Sequence, residues 1–351
     1  NVLFFCIIIC FILTVSVGAA VYRKGYHTDE IWTFGIANSE NAFLFPDELV
    51  LKQGNGWLSG DYFYQYVVAD KNSAFKYGHI IDNSLKDSHP ILYYLILHTF
   101  SSMFVGEFSK WFGIVPNIIF LIMALILLYR IGRIIYKYKH SVFIPLLCWG
   151  ISAICINNVV FIRMYMILTL FYLLVVYSFL KVLIKNKLGL YDYFCFILVL
   201  IGGMTTDYTF LPFAGMICIF STIYLFLTKR KLELFKVLFA GICSLLILVF
   251  IYPIYFITLF NSLFFVPEGI SAPLAERFSA QANNVNTFME IYNDFAYGGH
   301  LCLILFVIFC GYLCVLFRSI YHISLNQSSE DILLVLKKKK IYNKDLKITK
   351  Y

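Results

Sequence analysis

Two adjacent carboxylates, Asp29 and Glu30, stand in the stretch GYHTDEIWTF, directly after an apolar run long enough to cross a membrane. Carboxylates this close to lipid are costly unless they work or are paired. Three further groups of polar residues mark the edges of apolar runs. KDSHP carries Asp87 and His89, FIRMYM carries Arg163 and Tyr165, and TTDYTF carries Asp207 and Tyr208. A carboxylate can take a proton from a hydroxyl or amine nucleophile. An arginine presents a planar, two-pronged donor to phosphate. Together, at a lipid boundary, they suit a lipid-phosphate donor and a hydroxyl or amine acceptor.

Each residue also has a plainer reading. Asp29 is a catalytic candidate or half of an ion pair. Glu30 joins it in catalysis, orients it, or caps a short helix. Arg163 contacts phosphate or snorkels its charge out of the lipid. His89 touches substrate or caps a helix, and Asp207 reads as structural. His27, Asp29, Asp87 and His89 have side chains that can ligate a divalent cation, but their spacing matches no strict metal motif.

These residues need elements that bring them together. The chain of 351 residues is 61% hydrophobic and 14% charged, against about 25% charged in an ordinary soluble domain. The apolar residues fall into continuous runs of roughly 18 to 25, the length of a membrane-spanning helix. Continuous rather than alternating runs argue for helices and against a barrel. The expected fold is therefore an all-α polytopic membrane protein. The first run lacks a basic leader and exceeds a signal peptide's apolar core, so it reads as a retained helix. The ten cysteines lie inside apolar runs with no CxxC and read as small buried hydrophobes.

Basic clusters sit on the cytoplasmic side of membrane proteins. Four occur here: Arg130, Arg133, Lys137 and Lys139; Lys181, Lys185 and Lys187; Lys229, Arg230, Lys231 and Lys236; and a tail with Arg318 and a lysine run at 337–340. Placing all four inside makes the runs alternate. About eight spans result: 2–22, 112–135, 141–162, 165–185, 190–206, 210–228, 234–259 and 299–317. The segment 89–104 would reverse every later cluster if it crossed, and it reads as a helix lying on or dipping into the outer surface. The expected layout is a first span over 1–22, an outer loop over 23–111 with the acidic pair and a juxtamembrane helix, a bundle over 112–317 with an outer loop at 260–298, and a basic cytoplasmic tail over 318–351. This topology brings Asp29, Asp87, Arg163 and Asp207 to one side of the membrane. The tail's lysines suit anionic lipid headgroups.

HTDE after the first span, DSHPILYYLILH further on, and RMY at the end of a later span resemble the polytopic GT-C glycosyltransferases. The branch containing protein O-mannosyltransferases and aminoarabinose transferases is the most similar. The resemblance implies a GT-C-like bundle whose large first outer loop carries surface helices. It also implies a cell-membrane enzyme that inverts configuration while moving a sugar from a polyprenyl-phosphate donor to a glycan, lipid or protein acceptor on the extracytoplasmic face. Nucleic acid is not an expected partner. Carried over residue by residue, Asp29 matches the acidic base and Glu30 its neighbour. Asp87 and His89 match the loop motif facing the site, and Arg163 and Tyr165 the segment near the donor phosphate. Where relatives often have two prolines after the histidine, this chain has Pro90 and Ile91, and Asp207 stands where a histidine is common. A transporter, flippase or polymerase of lipid-linked saccharides is the alternative. A transporter should carry polar groups at mid-membrane, whereas the charges here sit at the ends of the apolar runs.

Overall fold

A computed structural model of the chain describes residues 2–257, apart from 41–59, 85, 88, 137, 139 and 185–188. The described residues form twelve helices and no strand. They are α1 (Val2–Tyr22), α2 (Thr28–Asn38), α3 (Gly60–Val67), α4 (Gly78–Ser84), α5 (Leu92–Ser102), α6 (Trp111–Ile135), α7 (Phe143–Gly150), α8 (Ala153–Val160), α9 (Tyr165–Ile184), α10 (Leu190–Met204), α11 (Phe210–Leu227) and α12 (Lys231–Ile251).

Five of these, α1, α6, α9, α11 and α12, are long and apolar enough to cross a membrane. At 1.5 Å per residue they reach about 27 to 38 Å, matching a hydrocarbon core of about 30 Å. The chain is an all-helical polytopic membrane protein. The expected span over 141–162 is not one straight helix. It breaks into α7 and α8 with a 55° bend. Ser152 causes the break: its backbone is extended, and its hydroxyl accepts the Cys155 N–H at 3.2 Å as an N-cap. An unbroken apolar run hides such a cap. The expected span over 190–206 appears as α10, 15 residues long and shorter than the others. The expected span 299–317, the loop 260–298, the tail, and Lys137, Lys139, Lys185 and Lys187 lie outside the described residues.

The segment 89–104 forms α5, only 11 residues long. That is about 16 Å, half of what a crossing requires. One face of α5, with Tyr93, Tyr94, Leu97 and His98, is buried, and it packs against α2 and α6. The apolar side of this short helix is thus covered by protein.

In lipid, helices associate through close van der Waals packing and hydrogen bonds rather than escape from water. Gly113 of α6 is such a contact: a Cβ there would come within 2.1 Å of the Ile162 side chain. The missing side chain lets the segment after α8 lie against α6. Asn117, one turn on, donates to the carbonyls of Val159 at 3.1 Å and Phe161 at 3.0 Å. It thereby satisfies groups that the end of α8 leaves without helical partners. Lys110 does the same for α1, donating to the carbonyls of Ala20 at 2.7 Å and Arg23 at 3.0 Å. Both devices hold chain ends at one edge of the bundle.

Candidate active site

The site starts at the N-terminus of α2. His27 is extended, and its Nδ1 accepts the Asp29 N–H at 3.2 Å. Glu30 reaches back to accept the His27 N–H at 2.7 Å. The two bonds form a capping box, which starts the helix at this residue and not elsewhere in the loop. Acidic residues in a first turn also complement the positive end of the helix dipole.

The two carboxylates then part company. Glu30 is fully buried. Its Oε2 pairs with Arg23, and its Oε1 accepts the Ile162 N–H at 2.7 Å. Arg23 also donates to the Val160 carbonyl. Glu30 and Arg23 thus clamp the start of α2 to the turn that leaves α8. Asp29 is left with a side chain 47% exposed. It lines a cleft of about 230 Å³ together with Trp32, Ile36, Lys86, Asp87, His89 and Arg163. Glu30, expected beside Asp29 in the catalytic pair, does not line that cleft.

The turn held by Glu30 delivers Arg163. This guanidinium is only 6% exposed. Its Nη1 donates to Thr33 Oγ1 at 3.1 Å, and its Nη2 lies 3.0 Å from His89 Nε2. Thr33 in turn donates to the Asp29 carbonyl at 2.6 Å. Arginine has donors only, so His89 Nε2 must accept. The proton of that neutral imidazole is then on Nδ1, which lies 3.3 Å from Asp87 Oδ2. Tyr94 also donates to Asp87. Burial and the Asp87 charge push the Tyr94 hydroxyl well above its ordinary value, so it stays a donor. The chain Tyr94, Asp87, His89, Arg163 and Thr33 links α5 and α2 through two turns and fixes each member's orientation.

Arg163 has two features that a merely structural arginine lacks. Its Nε is buried without a hydrogen-bond partner. Among the described residues no carboxylate lies within ion-pair distance of it. A buried charge without a counter-charge is expensive. The arrangement suits an anion entering the cleft.

The structure therefore brings Asp29, Asp87, His89 and Arg163 into one cleft. Tyr165 is not brought there: it is exposed and stacks on Phe161, with ring centroids 5.9 Å apart. His27 meets the same Phe161 ring edge-on at 5.5 Å. Among the described residues no three His, Cys, Asp or Glu side chains converge as a metal site. His27 and Asp29 form one pair at 3.7 Å, and Asp87 and His89 another. Asp207 accepts the N–H and hydroxyl of Thr209 at 2.8 and 2.6 Å, a local turn before α11.

Sequence reasoning missed Lys86, Thr33 and Arg23. Lys86 stands next to Asp87, and Thr33 one helical turn after Asp29, so both were within reach of a helix or loop reading. Arg23 gave no such signal.

Residues 88–257 match the family described as dolichyl-phosphate-mannose-protein mannosyltransferase. That segment of the chain is thus similar to a family of membrane glycosyltransferases. No curated protein and no solved structure matches the chain. The matched segment includes His89, Arg163 and Tyr165 but begins after Asp29, Glu30 and Asp87. What those three do rests on their geometry.

Proposed function

We propose that the chain is a membrane glycosyltransferase of the GT-C type that moves one sugar from a polyprenyl-phosphate donor to an acceptor hydroxyl or amine on the extracytoplasmic face, with inversion at the anomeric carbon. The observation that carries the reading is the buried Arg163, without a carboxylate partner among the described residues, facing the same cleft as the half-exposed Asp29.

Asp29 takes the proton of the acceptor. The freed electron pair forms the new bond to the anomeric carbon from the face opposite the phosphate. The bond from that carbon to the phosphate oxygen breaks, and its electrons leave on the polyprenyl phosphate. Arg163 stabilises the phosphate charge, with Lys86 as a second cation at the cleft. A phosphate leaving group needs little acid assistance, so proton removal and charge stabilisation are the two tasks left to the protein. Glu30 acts through Arg163 as a positioning residue.

A lipid donor also needs a place for its tail. An apolar groove of about 250 Å³ lies among α10, α11 and α12, lined by Leu200, Met204, Leu211, Gly215, Gly241 and Leu245. The turn between α10 and α11 adjoins the site, because the Thr205 carbonyl accepts the Leu92 N–H at 2.9 Å, just beyond His89.

The test is transfer by the purified chain in lipid nanodiscs supplied with polyprenyl-phosphate sugars and cell-envelope extract. Release of polyprenyl phosphate coupled to a new glycoside of inverted configuration is the expected result. Retained configuration, or turnover only with nucleotide sugars, overturns the reading.

A further inference from the structure

A second cleft lies at the other end of α2. It measures about 520 Å³ and is lined by Asn38, Glu40, Tyr64, Gln65, Asp70 and Ser73 among others. That volume is within the range of small-molecule sites, about 300 to 1,000 Å³.

Its chemistry differs from that of the first cleft. Among the described residues no lysine or arginine lines it, whereas Lys86 and Arg163 line the other. Among the described residues Val68 is its one aliphatic side chain. What the walls offer is amide, hydroxyl and carboxylate groups beside a half-exposed tyrosine ring. Hydrogen bonds from the backbone and side chain of Ser73 hold the Asp70 carboxyl below its usual range, keeping it an acceptor. Planar carboxylates and amides that pair with vicinal hydroxyls, next to an aromatic face that takes the C–H side of a ring, fit a neutral sugar.

The two clefts share a helix. Asp29, Trp32 and Ile36 are spaced i, i+3 and i+7 along one side of α2, which ends at Asn38, two residues before Glu40. The first three line the cleft of Asp29, and Glu40 lines the second. Nine residues of helix separate Asp29 from Asn38, which lines the second cleft, a distance of about 14 Å. An extended oligosaccharide crosses that distance, with Trp32 between the two.

We infer that the second cleft binds the acceptor, and that the acceptor is a neutral oligosaccharide whose growing end reaches Asp29. The inference rests on the glycosyltransferase reading above, with transfer at Asp29.

The probe is a panel of neutral tri- and tetrasaccharides, titrated onto the full chain in nanodiscs by saturation-transfer NMR. At least one should bind. The double variant Glu40→Gln/Gln65→Ala changes two side chains on the cleft wall. It should weaken that binding about tenfold, as the loss of one or two hydrogen bonds does, with an unchanged Tm. The acceptor KM should rise by the same factor, while the donor KM and donor hydrolysis by water stay as in wild type. Binding of no neutral saccharide, or wild-type binding by the double variant, overturns the inference, as does preference for a basic or serine-rich peptide. Donor hydrolysis separates the two readings. If saccharide binds at this cleft but no polyprenyl-phosphate sugar is ever hydrolysed or transferred, the proposed reaction fails and the cleft assignment survives. If hydrolysis proceeds and saccharide does not bind, only the cleft assignment fails.

Discussion

Glu30 Oε1 accepts the backbone N–H of Ile162, the residue before Arg163, at 2.7 Å. One buried carboxylate thereby ties the helix that carries Asp29 to the turn that carries Arg163. The separation of Asp29 and Arg163 is set by this bond and by the Arg23 pair beside it, rather than by the cleft itself.

Glu30→Gln should therefore behave as a structural lesion first. It leaves the partly buried Arg23 without its counter-charge, and breaking a fully buried pair on one side costs about 3 kcal/mol or more, an upper figure here. Thermal unfolding in detergent should show a clear fall in Tm, with a raised donor KM. Adding Arg23→Met should restore part of the Tm, since it removes the unpaired charge. A Glu30→Gln protein with wild-type Tm and a kcat defect alone would make Glu30 a chemical participant instead.

Asp29→Asn should show the opposite profile. Its side chain is half exposed and makes no hydrogen bond that holds the fold. Tm and donor binding should stay near wild type. Transfer should fall by about 10²- to 10⁴-fold, the contribution of a general base. Near-normal turnover would move the base to Asp87.

Arg163→Lys keeps the charge but loses the fork that reaches Thr33 and His89 together. Donor use should drop at least tenfold in kcat/KM, a loss of about 1.4 kcal/mol of transition-state stabilisation. Unchanged donor kinetics would show that the guanidinium serves the fold alone.

His98 makes the fold acid-sensitive. It is fully buried in α5, between the Asn38 side chain and the Ser73 carbonyl. Burial, helped by neighbouring His79, pulls its pKa down from 6.5 to about 4. The folded protein resists a proton that the unfolded chain accepts. The stability His98 contributes is thus present above about pH 6.5 and is lost as pH falls towards 4. Full titration over that window is worth about 3 kcal/mol. Tm measured from pH 7.5 to 4.5 should fall more steeply in wild type than in His98→Gln. Parallel slopes would remove His98 as the cause.

The sidedness of the cleft is also open to measurement. In a cysteine-free background, a cysteine at Lys86, which is exposed at the cleft, should react with a membrane-impermeant maleimide added outside intact cells. A cysteine at position 137 should react only after lysis. Strong outside labelling at 137 would reverse the topology.

Much of this was legible from charge placed against an apolar background. Asp29, Asp87, His89 and Arg163 each stand at the edge of an apolar run, and lipid leaves few places for such groups other than a shared polar pocket. The shortness of α5 was legible for the same reason. The division of labour between Asp29 and Glu30 was not. It depends on a backbone N–H 132 residues away, and adjacent carboxylates look alike until a helix turns one inward. Lys86 was overlooked because a lysine in a loop ordinarily faces solvent. The kink between α7 and α8 was hidden because its cap, Ser152, is one hydroxyl in an otherwise apolar run.

The Glu30 clamp also orders events during synthesis. A nascent chain that has inserted only α1 to α7 already displays Asp29 and Glu30. It has neither Arg163 nor the Ile162 amide against which Glu30 is set. Until α8 and the turn after it have followed, Glu30 lacks one of its partners and Asp29 faces no Arg163. The cleft is therefore complete only once the chain has been made as far as Arg163, and a product stalled before that turn holds Asp29 alone.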